Sequence, residues 1–229
     1  MNNKIILKNL SKTFFEKKTI KVLKNINFKF KLGKIYSLMG PSGSGKSTLL
    51  NILSLIDRPS NGSIKFLEKN INFNDGKKND IFRANNIGII YQQDNLLSDF
   101  TALENVYLAC LAAGNKKISA KNKAKKILKK VGLSNRLNHY PNELSGGEKQ
   151  RVSISRAIVN EPKIILADEP TGSLDKKTSL EIFKLLKKQI NPKRLILFAT
   201  HNRFLANKSD YLLEMVDGNI KSTNAHDLS

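Results

Sequence analysis

The run Gly40-Pro41-Ser42-Gly43-Ser44-Gly45-Lys46-Ser47-Thr48 concentrates more phosphate chemistry than any other stretch of this chain. It fits G-x-x-x-x-G-K-[ST], a pattern shared by kinases, GTPases and motor ATPases, so alone it specifies a phosphate cradle and nothing finer. A triphosphate carries several negative charges, and the unpaired N–H groups at a helix start, reinforced by the helix dipole, offer it fixed donors. Gly40, Gly43 and Gly45 let the backbone wrap closely. Lys46 supplies a point charge to the β- and γ-phosphates, and the Ser47 hydroxyl is placed to ligate Mg²⁺. A ligand-free glycine turn has no packing reason to carry Lys-Ser-Thr where the loop becomes a helix.

A second set of reactive groups follows the buried-strand run Ile164-Ile165-Leu166-Ala167. It ends in Asp168 and Glu169, at the carboxyl end of a strand, where open α/β sheets bind their ligands. Asp168 is expected to hold Mg²⁺, directly or through water, and Glu169 to polarise an attacking water as general base. An Asp-Glu-Pro sequence alone could be a solvated turn; a phosphate loop in the same chain favours the chemical reading. His201 directly follows the Leu195–Thr200 run, and Gln92 follows Ile87–Tyr91, so both also lie at strand ends. Each, taken alone, reads equally well as an ordinary polar residue at a strand end, as does Gln93. Asn207-Lys208-Ser209-Asp210 matches the guanine-reading N-K-x-D of GTPases, but it follows a helical stretch, Arg203–Ala206, where a GTPase has a strand.

The elements that must position these groups follow from periodicity. Ile5–Leu7, Val22–Phe30 and Ile35–Met39 read as strands, and Ser47–Ile56 as a helix opening from the phosphate loop. Ile64–Leu67 and Ile87–Tyr91 suggest further strands. From Thr101 to about Val159 the pattern is helical, broken at Gly114 and Pro141, which gives an inserted helical subdomain over approximately residues 93–159 of a single domain, 1–229. Strands return at Ile164–Ala167 and Leu195–Thr200 around a helix over Lys176–Ile190, as a mainly parallel sheet with crossover helices requires. Tyr211–Val216, Asp217-Gly218 and Ile220 read as a hairpin with an antiparallel return.

Composition excludes several classes. The chain has 229 residues, enough for one domain with a small insertion and too few for two such domains in tandem. Forty Lys and Arg against 19 Asp and Glu give a net charge of +21, but the densest basic stretch, Lys116–Lys130, alternates with Ile118, Ala124, Ile127 and Leu128 at helical spacing. It reads as a solvated helix face closed by Gly132, without the aromatic interleaving of a nucleic-acid reader, so no nucleic-acid partner is expected. The single Cys110 forms no internal disulfide, in keeping with a reducing compartment. The N-terminus shows no secretory apolar core, and the runs Leu49–Ile56, Val106–Ala113 and Leu195–Ala199 fall short of the ~18 to 20 residues that cross a bilayer. A membrane role would use another chain's helices.

The run Leu144-Ser145-Gly146-Gly147-Glu148 resembles the signature of the ATP-binding cassette (ABC) ATPases, and the resemblance extends from about Ile5 to Ile220 with all motifs in order. It implies the α/β P-loop ABC ATPase fold, ATP and Mg²⁺ as cofactors, and a homodimer in which Ser145 and Gly147 touch the other subunit's nucleotide. It further implies that His201 is the switch histidine near the γ-phosphate, that Gln92 is a glutamine reporting Mg²⁺ and γ-phosphate status to permease subunits, and that Ser173-Leu174-Asp175 crosses the dimer axis. Phe14 takes the place of the family's adenine-stacking tyrosine, with Phe15 next to it as an alternative. The segments Leu96–Val106, Leu166–Gly172 and Leu213–Gly218 resemble the lipoprotein-releasing ATPases, which serve permeases of the bacterial inner membrane from its cytoplasmic face. Gln93-Asp94-Asn95 departs from that group, which leaves macrolide-export and cell-division ATPases open. A soluble DNA-repair ATPase would separate the motifs by a long coiled coil, and an inactive cassette would lack Lys46, Glu169 or His201. Leu96, Leu97 and Phe100 are expected to form an apolar groove for a permease helix, their alternative being the core of the helical subdomain.

Overall fold

The computed structural model describes residues 4–15 and 19–223. They divide into two compact units, Met1–Asp80 with Ile190–Ser229, and Ile81–Gln189.

The first unit holds an antiparallel sheet in the order β2 (Thr19–Lys31), β1 (Lys4–Phe15), β4 (Asn61–Phe66), β5 (Lys69–Asn70). β2 is its edge. Leu23, Ile26 and Phe30 are buried while Lys21, Lys24, Lys29 and Lys31 face water, and such lysines blunt further strand pairing. β1 is longer than the Ile5–Leu7 strand expected from sequence. Asn9 adopts φ 50° and the register with β2 shifts between Leu7 and Leu10, so the alternation restarts out of phase and a period-of-two reading stops at the bulge.

The same unit contains the strands around the phosphate loop. β3 (Ile35–Met39) pairs in parallel with β8 (Leu195–Ala199) on one side and β9 (Tyr211–Val216) on the other, and β10 (Asn219–Thr223) closes an antiparallel hairpin with β9. β8 is buried throughout and β3 in all but Met39, as parallel strands covered on both faces are. Asp210 Oδ2 accepts from the Ile35 N–H at 2.7 Å, which seats the start of β3. The N-K-x-D carboxylate is therefore a backbone strap. Tyr36 packs edge-on to Phe30, with centroids 5.2 Å apart, and stacks on Tyr211 at 4.8 Å. Burial raises its phenol pKa, and its Oη accepts from the Lys31 N–H at 2.9 Å. α1 (Lys46–Leu53) leaves the phosphate loop, and α7 (Arg203–Ala206) follows β8.

α2 (Gly76–Asn86) carries the chain from the first unit to the second. Periodicity did not foretell it. Its sequence, GKKNDIFRANN, has no apolar stripe, and the helix is fixed locally, by Asp75 accepting from the Lys78 N–H at 3.1 Å and by an ion pair to the Lys78 ammonium.

The second unit contains the parallel pair β6 (Ile87–Ile90) and β7 (Ile164–Asp168) and the helices α3 (Ala102–Ala112), α4 (Lys117–Lys130), α5 (Gly146–Ile158) and α6 (Lys176–Lys187). Ala120, Ala124 and Leu128 recur every fourth residue along α4 and pack with Val106, Cys110 and Val152 in one apolar cluster. Burial pushes the Cys110 thiol pKa up, which makes it a packing residue. Gly132, at φ 82°, follows the end of α4 as expected. Among the described residues no helix is long and apolar enough to cross a membrane.

The starts of α3 and α5 carry reciprocal caps. Thr101 and Glu104 cap α3, and Ser145 and Glu148 cap α5, where Ser145 Oγ accepts from the Glu148 N–H at 3.3 Å and Glu148 Oε2 from the Ser145 N–H at 2.9 Å. Arg136 Nε donates to the other Glu148 oxygen at 2.8 Å. Behind the α3 cap, Asn105 is 1% exposed; its Oδ1 accepts from the Leu97 N–H at 2.8 Å and its Nδ2 donates to the carbonyls of Leu97, Phe100 and Thr101.

Two stability outcomes follow. Asn105→Ala orphans the Leu97 N–H and should destabilise the protein by about 1–3 kcal/mol in denaturant titration; a change below about 0.5 kcal/mol would contradict the staple. Glu148→Gln retains the acceptor that caps α5 but loses the charge opposite Arg136, so it should cost a few tenths of a kcal/mol, less than the roughly 1 kcal/mol of Glu148→Ala. The Arg136 guanidinium, then the Ser145 N–H, hold the Glu148 carboxyl below its usual 4.5. A depressed carboxyl stabilises the fold fully above 4.5 and loses that contribution as pH falls through the folded value, so the Glu148→Gln protein should lose less stability on acidification than the parent.

Candidate nucleotide-binding site

In the first unit, the chain leaves β3 through Gly40 at φ 152° and enters α1 through Gly45 at φ 104°. A side chain on Gly40 would run into the Met215 carbonyl of β9, and one on Gly45 would lie 2.9 Å from Leu23 Cδ2. Both positions therefore require glycine on grounds of space as well as backbone conformation. Lys46 is 7% exposed, and its ammonium donates to the carbonyls of Gly40 at 2.7 Å and Pro41 at 3.0 Å, across the mouth of the loop. Ser44 Oγ is buried without a hydrogen-bond partner. Ser47 is exposed on the first turn of α1, next to Thr48. A loop with free N–H groups, a cation tethered only to neutral carbonyls and an orphaned hydroxyl is suited to an oligophosphate, whose oxygens supply the missing acceptors. Pro41, Ser42 and Gly43 form its exposed rim.

His201 lies in the same unit, immediately beyond β8. Thr200 beside it is buried, donates its N–H to the Leu38 carbonyl at 3.1 Å, and accepts from the Asn202 N–H at 3.0 Å. Asn202 then caps α7. The imidazole is thus carried on a short turn fixed on both sides, and it is exposed.

The Phe14 and Phe15 alternatives separate by face. Lys12 pairs with Leu23 in the β1–β2 register, and Leu23 is the residue that closes on Gly45. Lys12 Nζ lies 4.8 Å from the Phe14 ring centroid, so Phe14 shares that face. Phe15 is 79% exposed and lines an open cleft of about 650 Å³ together with Lys12, Arg58, Ser60 and Phe73, a cleft whose lining does not include Phe14.

In the second unit, β7 delivers Asp168 and then Glu169. Glu169 holds φ 46°, an uncommon conformation for a residue with a side chain, and its carbonyl accepts from the Gly172 N–H at 2.9 Å to close the turn. Gln92 meets this turn, with its Nε2 3.2 Å from where a Gly172 side chain would begin. The structure thus brings Gln92 together with the Asp168–Gly172 turn. Tyr91, beside Gln92, has its phenol pKa raised by burial, with Arg156, Arg83 and Asp168 near enough to act on it.

Ser145 and Gly147 begin α5, with Ser145 exposed. The Glu148 side chain is committed to the cap, so Ser145 and the N–H groups of Gly146 and Gly147 form the accessible part of the signature. Asp175 caps α6 by accepting from the N–H groups of Lys177 and Thr178 at 2.9 and 3.0 Å. Its hydrogen bonds from Thr178, first the hydroxyl and then the backbone, lower its pKa.

Two polar residues absent from the sequence reading organise the loop after Gln92. The Arg156 guanidinium, on α5, donates to the carbonyls of Asp94 and Asn95 at 2.7 Å each, and Asn95 sits at φ 47°. Burial lowers the Arg156 pKa and the Asp94 charge opposes that. With Asn105 at the other end, this fixes residues 94–101. Leu97 and Phe100 remain exposed, at 48% and 37%, whereas Leu96 packs against the apolar cluster, which corrects the expectation that all three line a groove. Arg156 was legible as a cation set among Ile154, Ala157 and Ile158, a position that demands a partner.

The family model for ABC transporters matches residues 23–172. The chain is 46% identical over 228 residues to the lipoprotein-releasing system ATP-binding protein LolD of Wigglesworthia glossinidia brevipalpis, covering 98% of this chain and 100% of the relative. It is 40% identical to the macrolide export ATP-binding/permease protein MacB of Bartonella quintana, covering 96% of this chain and 34% of that longer protein. The ATP-binding cassette MJ0796, solved as a dimer in a post-hydrolysis state with ADP and Pi, superposes with a TM-score of 0.89 at 38% identity, over 97% of this chain and 99% of that one. The phosphate loop, strand-end carboxylates and capped signature helix thus stand in the P-loop ABC ATPase fold, and the chain belongs to the ABC transporter family as one of its ATP-hydrolysing cassettes.

Proposed function

We propose that this chain is the ATPase subunit of a transporter that releases lipoproteins from the bacterial inner membrane, working as a homodimer on the cytoplasmic face and bound to separate transmembrane permease subunits. The observation that carries this reading is the contact of Gln92 with the Asp168–Gly172 turn, followed at once by a braced loop that exposes Leu97 and Phe100. Nucleotide-sensing chemistry and an apolar docking face are thereby consecutive in the chain. The full-length match to a lipoprotein-releasing ATPase supports the choice of substrate system. Within a single cassette, 1–229, residues 93–159 act as the helical subdomain, a reading supported by the succession of α3, α4 and α5 after Gln92.

The residues fit Mg²⁺ and ATP as follows. Gly40, Pro41, Ser42, Gly43, Ser44, Gly45 and Thr48 present the phosphate cradle, and Lys46 exchanges its two carbonyl partners for phosphate oxygens. Ser47 in the first unit, and Asp168 and Gln92 in the second, would each offer Mg²⁺ a hard oxygen donor. The bound nucleotide supplies the phosphoanhydride to be hydrolysed. Glu169 takes the proton of the attacking water, His201 orients that water, and Phe14 stacks on the base. Ser145 and Gly147 serve the partner subunit's nucleotide, which agrees with the exposed position of Ser145 at the start of α5.

Two experiments test this. Glu169→Gln should retain ATP binding while lowering steady-state hydrolysis roughly 10²-fold or more, the scale of general-base loss; undiminished turnover would remove Glu169 from that role. Charged substitutions at Leu97 and Phe100 should leave folding and basal hydrolysis near normal and abolish co-purification with the permease. A lower melting temperature together with lost basal hydrolysis would instead assign both residues to the core.

A further inference from the structure

Lys12 is only 9% exposed, an unusual place for an ammonium. Its Nζ donates to Asp57 Oδ1 at 2.7 Å and to the Arg58 carbonyl at 2.9 Å, and it rests 4.8 Å from the centroid of the Phe14 ring. Asp57 is itself anchored. Its N–H donates to the Asn51 carbonyl of α1 at 3.1 Å, and its Oδ1 also accepts from the Arg58 N–H at 2.7 Å. A chain of fixed contacts therefore runs from the helix that leaves the phosphate loop, through Asp57 and Lys12, to the aromatic ring on the face that carries Leu23 toward Gly45.

Stability alone does not account for a buried ammonium here, because an apolar side chain of similar volume serves a core at least as well. The contact with the ring does. A cation against one face of an aromatic ring is attracted by the ring's quadrupole and restrains its orientation. Lys12 occupies one side of Phe14, and the ring, 37% exposed, keeps its accessible surface for another partner. A phenylalanine has no hydroxyl through which a hydrogen bond could orient it, and the cation supplies a contact that restrains its angle.

We propose that Lys12, held by Asp57, is a positioning residue for the nucleotide base: it fixes the Phe14 ring as a stacking platform and ties that platform to the turn ending the phosphate-loop helix. The proposal rests on the reading of Phe14 as the base-stacking residue. Base and phosphate contacts are then parts of one rigid frame. Loss of the cation loosens the base contact and leaves the phosphate contact intact.

Titration calorimetry on the full chain with Mg-ATP and, separately, with inorganic tripolyphosphate and Mg²⁺ distinguishes the two contacts. Lys12→Met should weaken ATP binding roughly three- to tenfold, the scale of one cation–π contact, and leave tripolyphosphate binding unchanged. The effect should vanish in a Phe14→Ala background. Unchanged ATP affinity, equal weakening of both probes, or an undiminished effect without the Phe14 ring would each overturn the proposal. Phe14→Ala with full ATP affinity would remove the stacking reading itself, and this proposal with it. Should Lys12→Met not fold, Asp57→Asn loosens the same ammonium and is read on the same two probes, with weaker ATP and unchanged tripolyphosphate binding expected and no change in either overturning the idea.

Discussion

The close approach of Gly40 to the Met215 carbonyl is the constraint on which the phosphate loop depends. The chain must leave a strand buried on both faces and turn its N–H groups toward a bound anion, and at Gly40 there is no room for a side chain to do so. That closeness exists because β9 lies in parallel register beside β3, with Leu38 opposite Leu213 and Met39 opposite Glu214. β9 is in turn paired by β10, and β3 is seated by the Asp210 carboxylate. A loop near the start of the chain therefore takes its shape from segments near the end. The strand pairing that shapes the loop, β3 with β9, is thus long-range in sequence.

The second unit achieves rigidity by other means. Its functional groups sit at helix starts and strand ends, where backbone groups lack partners, and each is met by a nearby side chain. Glu148 caps α5 and binds Arg136, Asp175 caps α6, Asn105 braces residues 97–101, and Arg156 braces 94–95. Side chains fixed in this way are preorganised, so little ordering remains for the moment of binding or reaction. Leu97 and Phe100, which stay exposed, lie on a loop that cannot easily fold them inward.

Much of this was legible in the sequence, for identifiable reasons. The phosphate loop, the Ile164–Ala167 run before Asp168 and the hairpin at Asp217-Gly218 are local patterns whose geometry follows from residue type. The full span of β1 was hidden by the bulge at Asn9, which breaks the alternation that a period-of-two reading relies on. α2 was hidden because local hydrogen bonds at Asp75 stabilise it without an apolar face. Leu96 was grouped with Leu97 and Phe100 because neighbouring apolar residues look alike in a sequence. Only the braces at either end of the loop decide which of them turns inward. The roles of Arg156, Asn105 and Lys12 depend on particular partners, some of them as many as 62 residues away, and no spacing rule reports such contacts.

In the proposed homodimer, Lys46 of one chain and Ser145 of the other complete a single hydrolytic site. The most direct measurement is single-turnover ATP hydrolysis in mixtures of a Lys46→Met chain with a Ser145→Arg chain, each inactive when assayed alone. A mixed dimer contains one site with an intact Lys46 from the Ser145→Arg chain and an intact Ser145 from the Lys46→Met chain, so mixing should restore hydrolysis at one site per mixed dimer. If mixed dimers form, as seen by differential tagging, and hydrolysis stays at the level of the separate variants, the shared site is contradicted.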